Sequence, residues 1–305
     1  VTSEGTSPHP PLPLWIDGGP VTGADAVVPA LDAGLRSGWG VFETLRAQGT
    51  STLAAHLHLE RLGVGARRLR IPFDPALVER ALHGTLAQPR TVRDVVVRIT
   101  LTAGPVDATS DWPPAPSGSP TLVVTLHPAP ALPLPPAHAM TTTARRWPAD
   151  VKTTSYVASV LATHQARDAG AEIAVLTDGD ELLETAAGNL FAIIGGTLVT
   201  PPDDGRLLAG VTRRLLLDAA AELAIPVRTD ALRQRDVAGA ETLAVSSSVA
   251  VLRTILTLDG QAPAGAGSHD APGSPGSERS AAAEQAVPEH PLIVTLRDRL
   301  LAGWA

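Results

Sequence analysis

Ile173-Ala174-Val175-Leu176-Thr177 runs through Asp178-Gly179 into Glu181-Leu182-Leu183-Glu184, and residues 190–194 run through Gly195-Gly196 into residues 197–200. Apolar, strand-length runs broken by Asp-Gly and Gly-Gly read as two successive hairpins, because those dipeptides supply the positive φ that tight turns need. Toward the C-terminus the pattern predicts a helix over 212–223, a strand over 241–245, and a last strand and short helix within 291–305. Toward the N-terminus, the β-branched runs 91–102 and 121–126 predict strands. Leu59, Leu62, Ala66 and Leu69 recur at helical spacing. Asp74-Pro75 opens a second helix, a side-chain cap followed by proline at the first helical position. Strands and helices alternate, so the class is mixed α/β.

Three stretches interrupt this pattern. Residues 1–13 are polar and proline-rich and read as a loose tail, with a first domain over 14–126. Residues 127–138 carry five prolines, which regular structure does not accommodate, and read as the linker to a second domain over 139–305. Within that second domain, residues 261–288 are rich in Ala, Gly, Ser and Pro and predict a disordered insertion.

Composition narrows the function classes. The net charge of −7 and the lack of any lysine cluster argue against nucleic acid or an acidic membrane as partner. No apolar run reaches bilayer length, and no cysteine is present to build a disulfide or a thiolate metal site, so a cytoplasmic location is expected. The chain lacks a GxSxG elbow, a GxxxxGK[ST] loop and an HExxH pair. His56 and His58 alternate like strand-spaced metal ligands, but they fall in a predicted helix and read as surface residues.

Lys152, in Lys152-Thr153-Thr154-Ser155-Tyr156, is the only lysine, and Tyr156 is the only tyrosine. Arginine replaces lysine wherever charge alone is needed, yet a guanidinium never becomes the free amine that an imine requires. A single retained lysine therefore points to Schiff-base chemistry, with an ordinary surface charge as the alternative from the count alone.

Around it runs an ordered series: Gly40-Val41-Phe42-Glu43-Thr44-Leu45-Arg46, His58-Leu59-Glu60-Arg61-Leu62, the Lys152 segment, Glu184-Thr185-Ala186-Ala187-Gly188-Asn189-Leu190-Phe191, Leu208-Ala209-Gly210-Val211-Thr212-Arg213, Ser246-Ser247-Ser248 and Asp259-Gly260. This series resembles that of the class IV aminotransferases, the fold-type IV pyridoxal-phosphate enzymes, over about residues 14–260. The resemblance implies a small N-terminal α/β domain, a larger C-terminal domain with a β-barrel-like core, and a homodimer that binds pyridoxal 5′-phosphate. It implies Lys152 as the Schiff-base lysine and proton shuttle. Glu184, in this motif with Asn189, would face the pyridine nitrogen. Arg61, Val211, Thr212, Ser247 and Ser248 would receive the phosphate, the pair at 211–212 because free amides at a helix start favour an anion. Thr212 reads alternatively as a plain helix cap. Tyr156 matches the tyrosine that meets the cofactor's ring oxygen in branched-chain enzymes, one residue closer to the lysine than there.

The resemblance also implies a small-molecule substrate bearing an amine and a carboxylate. Phe42 and Arg98 are its candidate contacts, since a guanidinium grips a carboxylate through two parallel bonds. Solvent exposure on the strand is the other reading of Arg98. The run Gly38-Trp39-Gly40-Val41-Phe42-Glu43-Thr44-Leu45-Arg46 and the Lys-Thr-Thr-Ser-Tyr spacing resemble lyase-like members. They imply 4-amino-4-deoxychorismate lyase, releasing pyruvate and 4-aminobenzoate. A transaminase of branched-chain or other small amino acids is the alternative, and a non-catalytic scaffold the third.

Overall fold

The computed structural model describes residues 12–21, 25–109, 112–265 and 289–304. The tail expected over 1–13 lies outside them except for Leu12 and Pro13, and the insertion expected over 261–288 lies outside them beyond Gly265. The chain divides into two compact units, residues 1–129 with 151–155, and residues 130–150 with 156–305.

The first unit contains β1 (Leu14–Ile16), β2 (Gly19–Val21), α1 (Ala33–Ser37), β3 (Gly40–Gln48), β4 (Ser51–Thr52), α2 (Ala55–Arg68), α3 (Pro75–Leu86), β5 (Asp94–Thr102) and β6 (Leu122–Pro128). Its strands form one antiparallel sheet in the order β2-β1-β6-β5-β3-β4. Side chains alternate across a strand. Val41, Leu45 and Ala47 of β3 therefore enter one core with Leu59, Leu62 and Ala66 of α2, the stripe that the helical spacing predicts. The Asp74 carboxylate caps α3 by accepting from the amides of Ala76 and Leu77 at 3.0 and 3.2 Å, with Pro75 at the first turn.

Residues 151–155 join this unit by pairing along β3. The Phe42 amide donates to the Lys152 carbonyl and the Thr154 amide to the Gly40 carbonyl, each at 2.9 Å, around a Val41–Thr153 bridge. The sequence places this segment in the second domain. Pairing across more than a hundred residues leaves no local signal, so the expected boundary fails here. The expected linker is also shorter at both ends, because β6 extends through His127 and Pro128, and the next strand begins at Ala137. Pro128 is tolerated as the terminal residue of its strand.

The second unit contains β7 (Ala137–Thr142), α4 (Val157–Asp168), β8 (Ile173–Asp178), β9 (Glu181–Thr185), β10 (Asn189–Ile194), β11 (Thr197–Thr200), α5 (Val211–Glu222), β12 (Val227–Thr229), β13 (Leu232–Arg233), β14 (Thr242–Ser247), β15 (Val251–Leu258) and α6 (Pro291–Ala302). The two predicted hairpins are β8–β9 and β10–β11. The second turns on Gly195 and Gly196 at φ 58° and 68°, the double positive φ of a tight hairpin. Strand order is β12-β11-β10-β14-β15-β7-β8-β9-β13, and Asn189 of β10 pairs with Glu184 of β9. That pairing closes β10-β14-β15-β7-β8-β9 into a ring, a β-barrel core filled by residues such as Leu182, Leu190, Leu243 and Ile255.

Helices α5 and α6 cover one outer face, where Leu216, Ile293, Leu296 and Leu300 meet Phe191, Ile193 and Leu252. The strand expected within 291–305 is absent among the described residues. Ile293, Leu296 and Leu300 follow helical spacing, and His290 caps a helix that begins at Pro291. Among the described residues no helix is long and apolar enough to cross a membrane, and no cluster of three His, Cys, Asp or Glu side chains could hold a metal.

Candidate functional site

In the first unit, Lys152 is half-buried and its backbone is fixed by the pairing with β3. The Thr154 hydroxyl strengthens that seam by donating to the Gly38 carbonyl at 2.8 Å. The Lys152 Nζ stands 4.6 Å from the centroid of the Phe42 ring, and the Arg98 Cζ lies 3.7 Å from the same centroid. Both basic side chains thus lie over one aromatic ring, a cation–π arrangement. Lys152, Phe42 and Arg98, three of the expected residues, come together in this unit.

On the helix-facing side of β3 lies a group that the sequence motifs contained but did not single out. Glu43 is fully buried and accepts from Arg61 Nε at 2.7 Å, from Arg61 Nη2 at 2.8 Å, and from His58 Nδ1 at 2.8 Å. Burial pushes the Glu43 carboxyl upward, but the Arg61 and His58 bonds and charges outweigh it and hold the group at about 2. His58 is pushed below its ordinary value, chiefly by burial and further by the charges of Arg61 and Lys152, against the opposing pull of Glu43.

The expectation that His58 lies on the surface is wrong. Three residues before Arg61, it shares that residue's helix face and turns inward toward β3. His56, by contrast, is exposed. The signal for Glu43 was present in the sequence as an acid among Val41, Leu45 and Ala47, on the buried face of an alternating strand.

In the second unit, Glu184 is the next-to-last residue of β9 and is buried with Arg146, which donates to its Oε1 through Nε at 3.2 Å and also through Nη2. Its Oε2 accepts from the Leu208 amide at 3.2 Å, and the Asn189 side-chain amide donates to the Leu208 carbonyl at 2.8 Å. The paired residues Glu184 and Asn189 therefore hold both sides of the Leu208 peptide and aim the following loop at the start of α5. Leu208 opens one of the quoted motif runs and Arg146 lies in none, but nothing local in the sequence ties either of them to Glu184. A cleft of about 330 Å³ opens beside the pair, lined by Arg145, Arg146, Trp147, Glu184 and Arg206 among others.

The cap of α5 is Gly210, which offers no side chain to the first amides of the helix, so Thr212 is not the capping residue. A Cβ at Gly210 would stand 1.9 Å from Asn189 Oδ1, which explains a glycine there. No side chain caps the first amides of this twelve-residue helix, and amides at a helix start favour an anion by geometry and dipole. Ser247 Oγ accepts from the Ala250 amide at 3.0 Å and shapes the turn after β14. Ser246, which pairs across from Asn189, has a buried hydroxyl with no hydrogen-bond partner among the described residues. Tyr156 donates its hydroxyl hydrogen to the Ala186 carbonyl at 2.7 Å, so toward a ligand this oxygen acts as an acceptor.

Residues 40–258, the stretch that carries these side chains, match the class IV aminotransferase family. The chain belongs to that family. Among its relatives, a putative branched-chain-amino-acid aminotransferase from Methanocaldococcus jannaschii is 31% identical over 82% of this chain and 89% of its own length. A D-alanine aminotransferase from Staphylococcus epidermidis is 27% identical over 81% and 89%. The Escherichia coli branched-chain amino acid aminotransferase shares the fold at a TM-score of 0.74 and 24% identity, covering 84% of this chain and 90% of that one. The PLP-bound form of a hypothetical aminotransferase from Mycobacterium tuberculosis does so at 0.77 and 21%, covering 96% and 99%.

This class IV aminotransferase relative is a fold-type IV enzyme, and pyridoxal 5′-phosphate is its cofactor. Its residues fit the group. An aldehyde needs an amine, a pyridinium needs a carboxylate, and a phosphate needs uncapped amides and arginine, and the two units carry one or more of each.

Proposed function

We propose that the protein is an aminotransferase that moves the amino group of branched-chain or similarly small amino acids to a keto-acid acceptor. The observation that carries this reading is the company the chain keeps. Relatives matched over about four-fifths of its length are named as branched-chain or D-alanine aminotransferases.

Pyridoxal phosphate, when bound, supplies an aldehyde and a ring that accepts electrons from the substrate's α-carbon. Lys152 Nζ would hold it covalently, and the same amine would carry a proton on and off the substrate's α-carbon. Glu184, with Arg146 behind it, would keep a proton on the ring nitrogen. Arg61, the amides of Val211 and Thr212, and the Ser247–Ser248 turn would hold the phosphate. Asn189 would act by positioning Leu208 and the loop to α5. Tyr156 would present its oxygen as an acceptor. Arg98 would orient the substrate carboxylate, with Phe42 as the apolar floor under both cations.

A homodimer belongs to the same proposal. It is supported by Val157, Val160 and Leu161 of α4, which are 67%, 45% and 57% exposed at helical spacing, an apolar stripe suited to burial against a second copy.

The lyase reading has the support of two sequence runs, residues 38–46 and 152–156. One assay separates the alternatives. The holoenzyme is given leucine, valine, isoleucine or D-alanine with 2-oxoglutarate, and separately aminodeoxychorismate. Glutamate formation is expected; 4-aminobenzoate without glutamate would replace the aminotransferase with the lyase.

A further inference from the structure

We propose that Glu43 is a positioning residue that sets the plane of the Arg61 guanidinium for the cofactor's phosphate, with His58 locking the carboxylate. The proposal rests on reading Arg61 as a phosphate-binding side chain.

The geometry is a fork. Arg61 Nε meets one carboxylate oxygen at 2.7 Å and Nη2 meets the other at 2.8 Å, so rotation of the guanidinium about its own axis breaks at least one bond. A guanidinium has five N–H groups. Glu43 engages the Nε/Nη2 edge, which turns the edge carrying Nη1 away from the acid. The side chains of Glu43 and His58 are 1% and 3% accessible, whereas that of Arg61 is 16% accessible. Arg61 is the member of the trio with surface left to meet a ligand, and the other two are sealed behind it.

His58 completes the lock. Burial favours its neutral form, and a neutral ring facing a carboxylate donates through Nδ1–H. The trio then carries one negative and one positive charge, so Glu43 already balances Arg61 electrostatically. Charge balance and positioning predict opposite outcomes. If Glu43 only offsets a buried cation, removing its charge makes the site more positive and tightens phosphate binding. If it positions Arg61, removing a carboxylate oxygen loosens phosphate binding despite the more favourable charge.

The test compares two probes, pyridoxal phosphate and pyridoxal, by equilibrium dialysis against apoprotein. Glu43→Gln is expected to weaken the phosphorylated probe at least about tenfold, the worth of one charge-assisted hydrogen bond, and pyridoxal less than about twofold. General damage to the fold would weaken both probes alike. Glu43→Asp keeps the charge but shortens the reach, so it should lower the same ratio; it decides the matter should Glu43→Gln fail to fold. An unchanged ratio, or tighter binding of the phosphorylated probe, overturns the proposal. Arg61→Met separates this failure from that of the underlying reading. If it leaves the ratio unchanged, Arg61 does not serve the phosphate at all. If it lowers the ratio while the Glu43 variants do not, only the positioning role falls.

Discussion

Replacing Arg146 with methionine keeps most of the side-chain volume and removes its charge. The side chains of Arg146 and Glu184 are 8% and 5% accessible, so this is a buried pair, and the variant leaves the carboxylate in the interior without that guanidinium. Removing one member of a buried ion pair costs about 3–5 kcal/mol, because the survivor stays desolvated without its partner. The lost bond from Arg146 to the Ala149 carbonyl, 2.9 Å long, adds to that cost.

At about 2–4 °C per kcal/mol for a domain of this size, the melting temperature should fall by roughly 6–20 °C. The measurement is calorimetry on apoprotein, where no ligand linkage contributes. Two units imply that unfolding need not be a single transition, and the one expected to move belongs to residues 130–150 with 156–305. Arg146→Met/Glu184→Gln removes both charges and should lose clearly less than the sum of the single variants. A single-variant loss below about 1 kcal/mol, within the range of exposed pairs, would mean that water reaches the pair and would refute the reasoning.

Other consequences follow from the same geometry. The folded pKa of Glu43 lies below its ordinary value, about 2 against 4.5. Its contribution is therefore fully present above pH 4.5 and is lost as pH falls through about 2. The size is on the order of 3 kcal/mol, so acid denaturation of the wild type should show a steeper loss across that window than Glu43→Gln; equal slopes would contradict it. Gly210→Ala should displace Asn189 and weaken pyridoxal-phosphate binding at least about tenfold, read by dialysis, whereas unchanged affinity would show that the loop to α5 has room for a methyl group. Leu190→Ala, in the closed barrel, should cost about 2–5 kcal/mol in urea denaturation; a loss under about 1 kcal/mol would mean that the barrel core refills the space.

Local chemistry carried most of what the sequence made legible. The Leu59–Leu62–Ala66 stripe, the Asp74-Pro75 cap, the Gly195-Gly196 turn and the β8–β9 hairpin depend on residues within a few positions of one another, and each was readable. Closure of the barrel depends on Asn189 meeting Glu184 across a turn, and the site beneath it on Arg146 and Leu208 coming from other segments. The pairing of residues 151–155 with β3 is more distant still. The same limit applied to His58, whose inward direction depends on where β3 places Glu43. The lone lysine drew attention for a different reason: composition alone singles out Lys152 as a candidate for imine chemistry that arginine cannot perform.

The most direct measurement is borohydride reduction of the cofactor-saturated protein followed by peptide mapping by mass. A reduced pyridoxyl-phosphate adduct on the peptide containing Lys152, at close to one per chain, is the predicted result. Saturated protein in which that peptide keeps its unmodified mass would contradict the assignment of Lys152 as the covalent anchor.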